Sequence, residues 1–189
     1  MEQQQPANVR ELVNRSLQGD QLAMRALMDL YKDIVFGLCF RMLGHRQDAE
    51  DVTQESFVRV FRSLSRWDSS RDFKPWLLAI AGNRCRSMIA SRARRAKQTD
   101  LVDDVADKAP DPEPANSLAE EVQLALEEVR SEYRQAFLLF HEEELSYAEI
   151  GEALDCPVGT VKTWIHRVRR QLVERLRRRG VVPEVQHES

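Results

Sequence analysis

Residues 145–170 read LSYAEIGEALDCPVGTVKTWIHRVRR, and their spacing decides the fold. Ser146-Tyr-Ala-Glu149 is a capping box, with Leu145 and Ile150 placed as a hydrophobic staple, so a short helix starts here and closes at Leu154. Asp155-Cys-Pro157 breaks the chain. From Val158 onward, Val161, Ile165, Val168, Leu172 and Leu176 form one helical stripe, leaving Thr160, Lys162, Thr163, His166, Arg167, Arg169 and Arg170 off the core. A capped helix, a tight turn and a basic helix make a helix-turn-helix. Its second helix can offer backbone N–H groups to phosphate at its start, while Lys162, His166 and Arg170, at steps of four, line one side to read base edges. An Arg-rich amphipathic helix ending in Arg177-Arg178-Arg179 can also bind an acidic protein or membrane surface, but the preceding capped helix and turn favour DNA.

The charge pattern extends this reading. The chain of 189 residues has a net charge of −3, yet residues 1–97, 98–116, 117–161 and 162–189 carry +6, −5, −9 and +5. Half of all Lys and Arg, 14 of 28, lie in Gly82–Lys97 and Lys162–Arg179, two footprints for a polyanion, although a single basic run is often only a solvated helix face. Between Gln98 and Asn116 the composition turns acidic and Pro-rich, with few large apolar residues. The expected architecture is all-α: two small helical domains, 1–97 and 117–180, on a flexible acidic linker over 98–116, with a tail over 181–189.

In the first domain, Asp20 is an N-cap for a helix carrying Leu27, Leu30, Ile34, Leu38 and Met42 and ended by Gly44. A second helix from near Asp48 turns Ala49, Val52, Phe57, Val60 and Phe61 inward and Glu50, Asp51, Gln54, Glu55, Arg59 and Arg62 outward. Its acidic first turn, Asp48, Glu50 and Asp51, suits the helix dipole and equally suits docking to a basic partner. A third helix opens at Pro75 and runs to Arg95, with Asn83, Arg84, Arg86, Ser87 and Arg94 outside. Before it, Ser65–Phe73 interleaves Trp67 and Phe73 with polar residues, a surface on which an unpaired base can stack; taken alone, Trp67 and Trp76 read as core anchors.

Several function classes are excluded. The longest stretch without a charged residue, Pro75–Asn83, is far short of the ~20 residues of a spanning helix, so no membrane insertion is expected. The N-terminus lacks the basic start and apolar run of a signal peptide, which points to a cytoplasmic protein. Cys39, Cys85 and Cys156 stand apart without metal-ligand spacing, and His45, His141, His166 and His187 share no motif. No phosphate-binding glycine motif occurs, and Glu142-Glu143-Glu144 reads as a solvated face. Neither an enzyme, a metal nor a cofactor is expected.

Together these motifs resemble the bacterial sigma-70 family, in its small extracytoplasmic-function (ECF) group. Asp48-Ala-Glu-Asp-Val-Thr-Gln-Glu55 with Phe57 is similar to the family's region 2.2, and Phe73-Lys-Pro-Trp-Leu-Leu-Ala-Ile-Ala-Gly-Asn83 to regions 2.3–2.4. Leu145–Gly151, Gly159-Thr-Val-Lys162 and His166–Arg169 are similar to region 4.2. The resemblance implies that Asp48, Asp51, Gln54 and Glu55 dock on the clamp of the largest subunit of core RNA polymerase. It implies that Trp67, Asn83, Arg84, Arg86 and Arg94 melt and read the promoter −10 element. Thr160, Lys162, Thr163, His166, Arg167 and Arg170 would read the −35 element while their domain sits on the flap of the second-largest subunit. An anti-sigma protein is a family expectation. Ser87, Ala90, Pro157 and Trp164 depart from the family pattern. The rival reading is a helix-turn-helix regulator that never engages polymerase, which leaves the acidic helix without a role.

Overall fold

The computed structural model describes residues 8–99 and 118–181. Among these residues every regular element is helical: α1 (Asn8–Leu17), α2 (Gln21–Leu43), α3 (Arg46–Ser63), a 3-10 turn (Leu64–Arg66), α4 (Phe73–Thr99), α5 (Leu118–Glu127), α6 (Ser131–His141), α7 (Tyr147–Ala153) and α8 (Val158–Arg178). Of the linker expected over 98–116, Gln98 and Thr99 continue α4, and residues 100–116 lie outside the described residues.

Local chemistry sets the boundaries. The Asp20 carboxylate accepts the N–H groups of Leu22 and Ala23, as an N-cap should, and the Arg15 guanidinium bonded to it, with those N–H groups, holds its pKa below the usual carboxylate value. Gly44 ends α2 in the left-handed region at φ 71°. Ser146 and Glu149 make both bonds of the capping box that opens α7. Two starts differ from expectation. α3 begins at Arg46, and α4 begins at Phe73, which leaves Pro75 inside the first turn, where its missing N–H breaks no helical bond. α1 carries no strong cap or long periodic run and was not expected; it forms because Val9, Leu12 and Val13 close the core beside α2.

Helices α1–α4 form one bundle and α5–α8 a second, smaller one. Phe73 anchors the first. Its ring is 1% exposed and meets Tyr31, Trp67 and Trp76 at centroid distances of 5.5, 5.4 and 5.6 Å, so truncation to Ala would cost about 3–5 kcal/mol. In the second bundle Val161, Ile165, Val168 and Leu172 turn inward along α8 against α5, α6 and α7, the stripe read from the sequence. The buried Cys39 and Cys85 thiols are neighbours between α2 and α4, and the Cys39 thiol, followed by burial, pushes the Cys85 thiol far up from its ordinary pKa.

The two bundles are packed together. α6 lies on α2 and α4, α7 on α4, and α5 on the end of α2, so their buried residues join into one continuous core.

Candidate polymerase and nucleic-acid interfaces

α3 buries Ala49, Val52, Ser56, Phe57 and Val60, which leaves its opposite face open. Asp51 and Gln54 are exposed there, and Val58, one turn on, is 48% exposed. A valine left bare between polar neighbours is a contact that sequence periodicity assigned to neither face. Asp48 and Glu55 are differently placed. Asp48 is ion-paired with Arg92 of α4 and lies 3.2 Å from His45 Nδ1; the Arg92 bond first of all holds its carboxyl below the usual range. Glu55 bonds Arg84 of α4 and, at 3.1 Å, Arg59 of its own helix. Burial pushes the Glu55 carboxyl up, but the two guanidinium groups outweigh it and the net shift is downward. The four acidic-helix candidates therefore divide into a solvent-facing pair, Asp51 and Gln54, and a pair that ties α3 to α4.

Beside Glu55 runs an open groove of about 680 Å³ between α3 and α4, lined by Arg59, Arg62, Arg66, Asn83, Arg84 and Ser87 as well as Glu55 and Val58. Four guanidinium groups against one carboxylate make it a strongly basic cleft. Arg59, Arg62 and Arg66 were not among the expected DNA-binding residues; their spacing of three and four, in phase with Glu55, was the available signal. Asn83 and Arg84 lie in the groove as expected. Ser87 donates to the Asn83 carbonyl at 2.9 Å instead of forming an ion pair.

The other −10 candidates are not gathered there. Arg86 is half-buried, donates to Asn83 Oδ1 at 2.6 Å and lies close enough to Cys156 for its charge to act on that thiol. Arg94 is exposed on α4, roughly 16 Å further along the helix axis than Asn83. Trp67 is only 9% exposed and packs edge-on to Phe73, the core-anchor placement rather than an open stacking face. It floors a second cavity of about 290 Å³, where Arg66, Asp68, Arg71, Pro75 and Trp76 meet Glu149, Glu152 and Ala153 of α7.

On α8 the expected reading residues point outward. Lys162, Thr163, His166, Arg167 and Arg170 are exposed and Thr160 is half-buried. The Thr163 hydroxyl donates to Gly159 O at 2.8 Å, which fixes its rotamer, and Lys162 lies 5.6 Å from the Tyr147 ring centroid. Arg167 leans back on Tyr133, donating to its hydroxyl at 3.3 Å. Among the described residues, no ion pair or hydrogen bond engages the side chains of His166 or Arg170. Trp164 packs on Tyr133 at 5.5 Å, so this departure from the family pattern is a core contact that extends the apolar stripe. Pro157 stands at the N-cap with φ −59° and no side-chain cap, while Asp155 takes the left-handed turn at φ 52°. At the far side Arg169 donates to His141 Nε2 at 3.2 Å; burial first, then the Arg169 charge, pushes the His141 pKa down.

No cluster of His, Cys, Asp or Glu among the described residues could hold a metal ion, and no helix there is long and apolar enough to cross a membrane. The arrangement offers binding surfaces: an acidic face with one bare valine, a basic groove on one bundle and a basic helix on the other.

Comparison with known proteins identifies the family. The Sigma-70 region 2 family matches residues 27–95 and the Sigma-70 region 4 family residues 119–172. The chain is 35% identical to the ECF RNA polymerase sigma factor SigW of Bacillus subtilis, over 89% of this chain and 97% of that one. It is 38% identical to the ECF RNA polymerase sigma factor SigE of Mycolicibacterium smegmatis, over 82% of this chain and 63% of the relative. Among solved structures, CnrH in complex with the cytosolic domain of CnrY shares the fold with a TM-score of 0.67 at 24% identity, covering 90% of this chain and 98% of that one. With the region 2 match on the α2–α4 bundle and the region 4 match on α5–α8, the chain belongs to the sigma-70 family, in its extracytoplasmic-function group.

Proposed function

We propose that the chain is a promoter-specificity factor that binds core RNA polymerase and starts transcription at its own set of promoters. The observation that carries this reading is the presence, on one chain, of two separate basic surfaces and an exposed Asp51–Gln54 face that lines neither. A DNA-binding regulator would need only α7 and α8.

In this reading Asp51 and Gln54, with Val58 beside them, dock on the clamp of the largest polymerase subunit. Asp48 and Glu55 support that face by holding α3 against α4. The groove of Arg59, Arg62, Arg66, Asn83 and Arg84 takes the backbone of the separated −10 strand, where guanidinium groups neutralise phosphates and the Asn83 amide reads a base edge. Arg86 and Arg94 extend the basic face along α4, and Trp67 supports it from beneath.

The region 4 bundle, seated on the flap of the second-largest subunit, places α8 in the major groove at −35. There the free N–H groups of its first turn, Thr160 and Lys162 hold phosphate, and His166, Arg167 and Arg170 face base edges with Thr163 beside them. The chain contributes binding energy and strand separation, and the polymerising chemistry belongs to the core enzyme. Its place of work is the cytoplasm, where polymerase and promoter meet. The solved complex of the sigma factor RpoE with the anti-sigma factor NepR from Bartonella quintana supports such a protein as a further partner.

Run-off transcription with purified core polymerase on a library of promoter-like fragments tests this. New, discrete start sites that depend on the protein are expected; absence of core binding would hand the case to the simple regulator. In the same titration Asp51→Arg should weaken core binding at least about tenfold, ~1.4 kcal/mol, with helix content unchanged. Unchanged affinity would move the docking face off α3.

A further inference from the structure

Asn83 stands on α4 at the wall of the basic groove, and what surrounds its amide decides which bases it can read. One turn further along the helix, the Arg86 guanidinium donates to Asn83 Oδ1 at 2.6 Å. A guanidinium carries only donors, so the atom it meets at that distance is the amide oxygen and not the nitrogen. Among the described residues Asn83 Nδ2 has no bond, and Arg86 makes no ion pair and no other hydrogen bond; its Nε is buried without a partner.

Arg86 does not line the groove. It is half-buried towards the α7–α8 turn, near Cys156, and so takes the amide oxygen from behind, which leaves the Nδ2 arm of the planar group for the groove. An arginine that served only to hold helices together would face a carboxylate, as Arg84 faces Glu55 and Arg92 faces Asp48. Here the cation is committed to an amide. Both residues stand on one helix, so their bond does not depend on where the α5–α8 bundle sits.

The consequence is chemical. A free asparagine amide offers a donor and an acceptor side by side, the pattern that matches adenine N7 and its N6 amine. With Oδ1 held by a cation, an incoming amine would share that oxygen with the Arg86 charge. An acceptor instead meets an unengaged NH2 group among positive neighbours, Arg59, Arg62 and Arg84. Thymine O4 and guanine O6 are such acceptors, at the ring position where cytosine and adenine carry amines.

We propose that Arg86 is a positioning residue that fixes the Asn83 amide as a donor, and that the groove thereby selects a keto base, thymine or guanine, at one position of the separated strand. The inference rests on the proposed role of the groove in binding that strand and goes beyond it by naming the base class.

The test uses holoenzyme and run-off transcription from a promoter library randomised across the −10 element, with the transcribed templates read by sequencing. Wild type should favour keto over amino bases about tenfold at one position, and Asn83→Ala should flatten that position alone. Arg86→Met keeps the stem of the side chain and removes its donors; it should erase most of the preference and readmit adenine, while Arg86→Lys, which keeps a cationic donor, should retain it. Asn83→Asp, which turns the donor arm into an acceptor, should reverse the preference towards cytosine and adenine. Absence of any protein-dependent start site would overturn the promoter reading itself. Start sites whose −10 preferences Asn83→Ala leaves untouched would take the base contact away from Asn83 and overturn the proposal. If Asn83→Ala flattens a position that Arg86→Met leaves as selective as wild type, with transcription lowered evenly across the library, Arg86 has only a structural part and the proposal falls. A wild-type preference for adenine or cytosine at that position sinks it equally. Should Arg86→Met lose helix content by circular dichroism, Asn83→Asp decides: reversal supports the donor assignment, and an unchanged preference overturns it.

Discussion

Replacing Arg134 with Met isolates the interaction that fixes the recognition bundle, because the long apolar stem is kept and only the guanidinium is lost. That group serves carbonyls at the C-terminal ends of two helices, Met42 in α2 and Glu127 in α5, and the Val129 carbonyl in the turn that follows. Helix C-termini carry partial negative charge, so a cation there acts on the dipole as well as on single acceptors. Each charge-assisted bond is worth about 1.5–3 kcal/mol taken singly, so three set a gross loss of roughly 5–9 kcal/mol. Against this stands the relief of an expensive burial: among the described residues no carboxylate bonds Arg134, and burial pushes its pKa down. Removing a desolvated charge recovers several kcal/mol, since the methionine leaves only carbonyls unpaired and no orphaned ion. The net loss comes to about 2–4 kcal/mol. With a urea dependence of about 2 kcal/mol per molar, the unfolding midpoint should fall by about 1–2 M. A loss below about 1 kcal/mol in the wild-type background would refute the view that Arg134 joins the two bundles.

Three further outcomes follow from the same geometry. With holoenzyme on a −35 duplex, Lys162→Ala should weaken binding evenly across sequences and lower the salt slope by about 0.9, whereas Arg170→Ala should cost about 1–3 kcal/mol at one base position. Equal slope changes in salt titrations of both variants would make Arg170 a phosphate clamp instead. Asp48 has a folded pKa depressed chiefly by Arg92, so its stabilising effect is complete above the unfolded value of about 3.9 and fades as pH falls through the lower folded value. Asp48→Asn should accordingly flatten the acid limb of the stability curve below about pH 4, and an identical limb in urea melts would dismiss the pair. His141 titrates below 6.5, which keeps it neutral as the acceptor for Arg169, so its contribution is whole above that pH and declines as pH falls. In an NMR titration Arg169→Ala should raise its midpoint; no movement would mean that burial alone sets it.

What the sequence makes legible is whatever a helix can settle by itself. Asp20, Gly44 and the Ser146/Glu149 box act through neighbours within five residues, so their types fix the boundaries they occupy. The stripe from Val161 to Leu172 has the 3.6-residue period of a buried face, and the structure buries it. The candidate site is only partly legible for the same reason. Lys162, His166 and Arg170 stand out because an exposed basic line on a helix needs no partner to be recognised. Glu55 and Asp48 look identical to Asp51 in one dimension, yet their partners Arg84 and Arg92 come from another helix. Trp67 illustrates the converse: an aromatic in a polar loop signals both a stacking platform and an anchor, and only the ring of Phe73 beside it decides.

The same distinction explains why the contact between the two bundles was not expected. The bundles share one continuous buried core, but its specific links, one buried guanidinium, one buried amide and three ion pairs, follow no apolar stripe that periodicity could reveal. Yet a trace of it lies in the charges. Residues 1–97 carry +6 and residues 117–161 carry −9, a division that a DNA-binding protein does not require, since an acidic segment beside a basic recognition helix works against binding a polyanion. Pairing Arg41, Arg71 and Lys74 with Glu142, Glu152 and Glu143 gives that acidity a destination inside the molecule. The Arg41–Glu142 and Arg71–Glu152 pairs are open to solvent, hence individually weak and screened by salt, whereas Lys74–Glu143 is largely shielded and holds the greater share of that attraction.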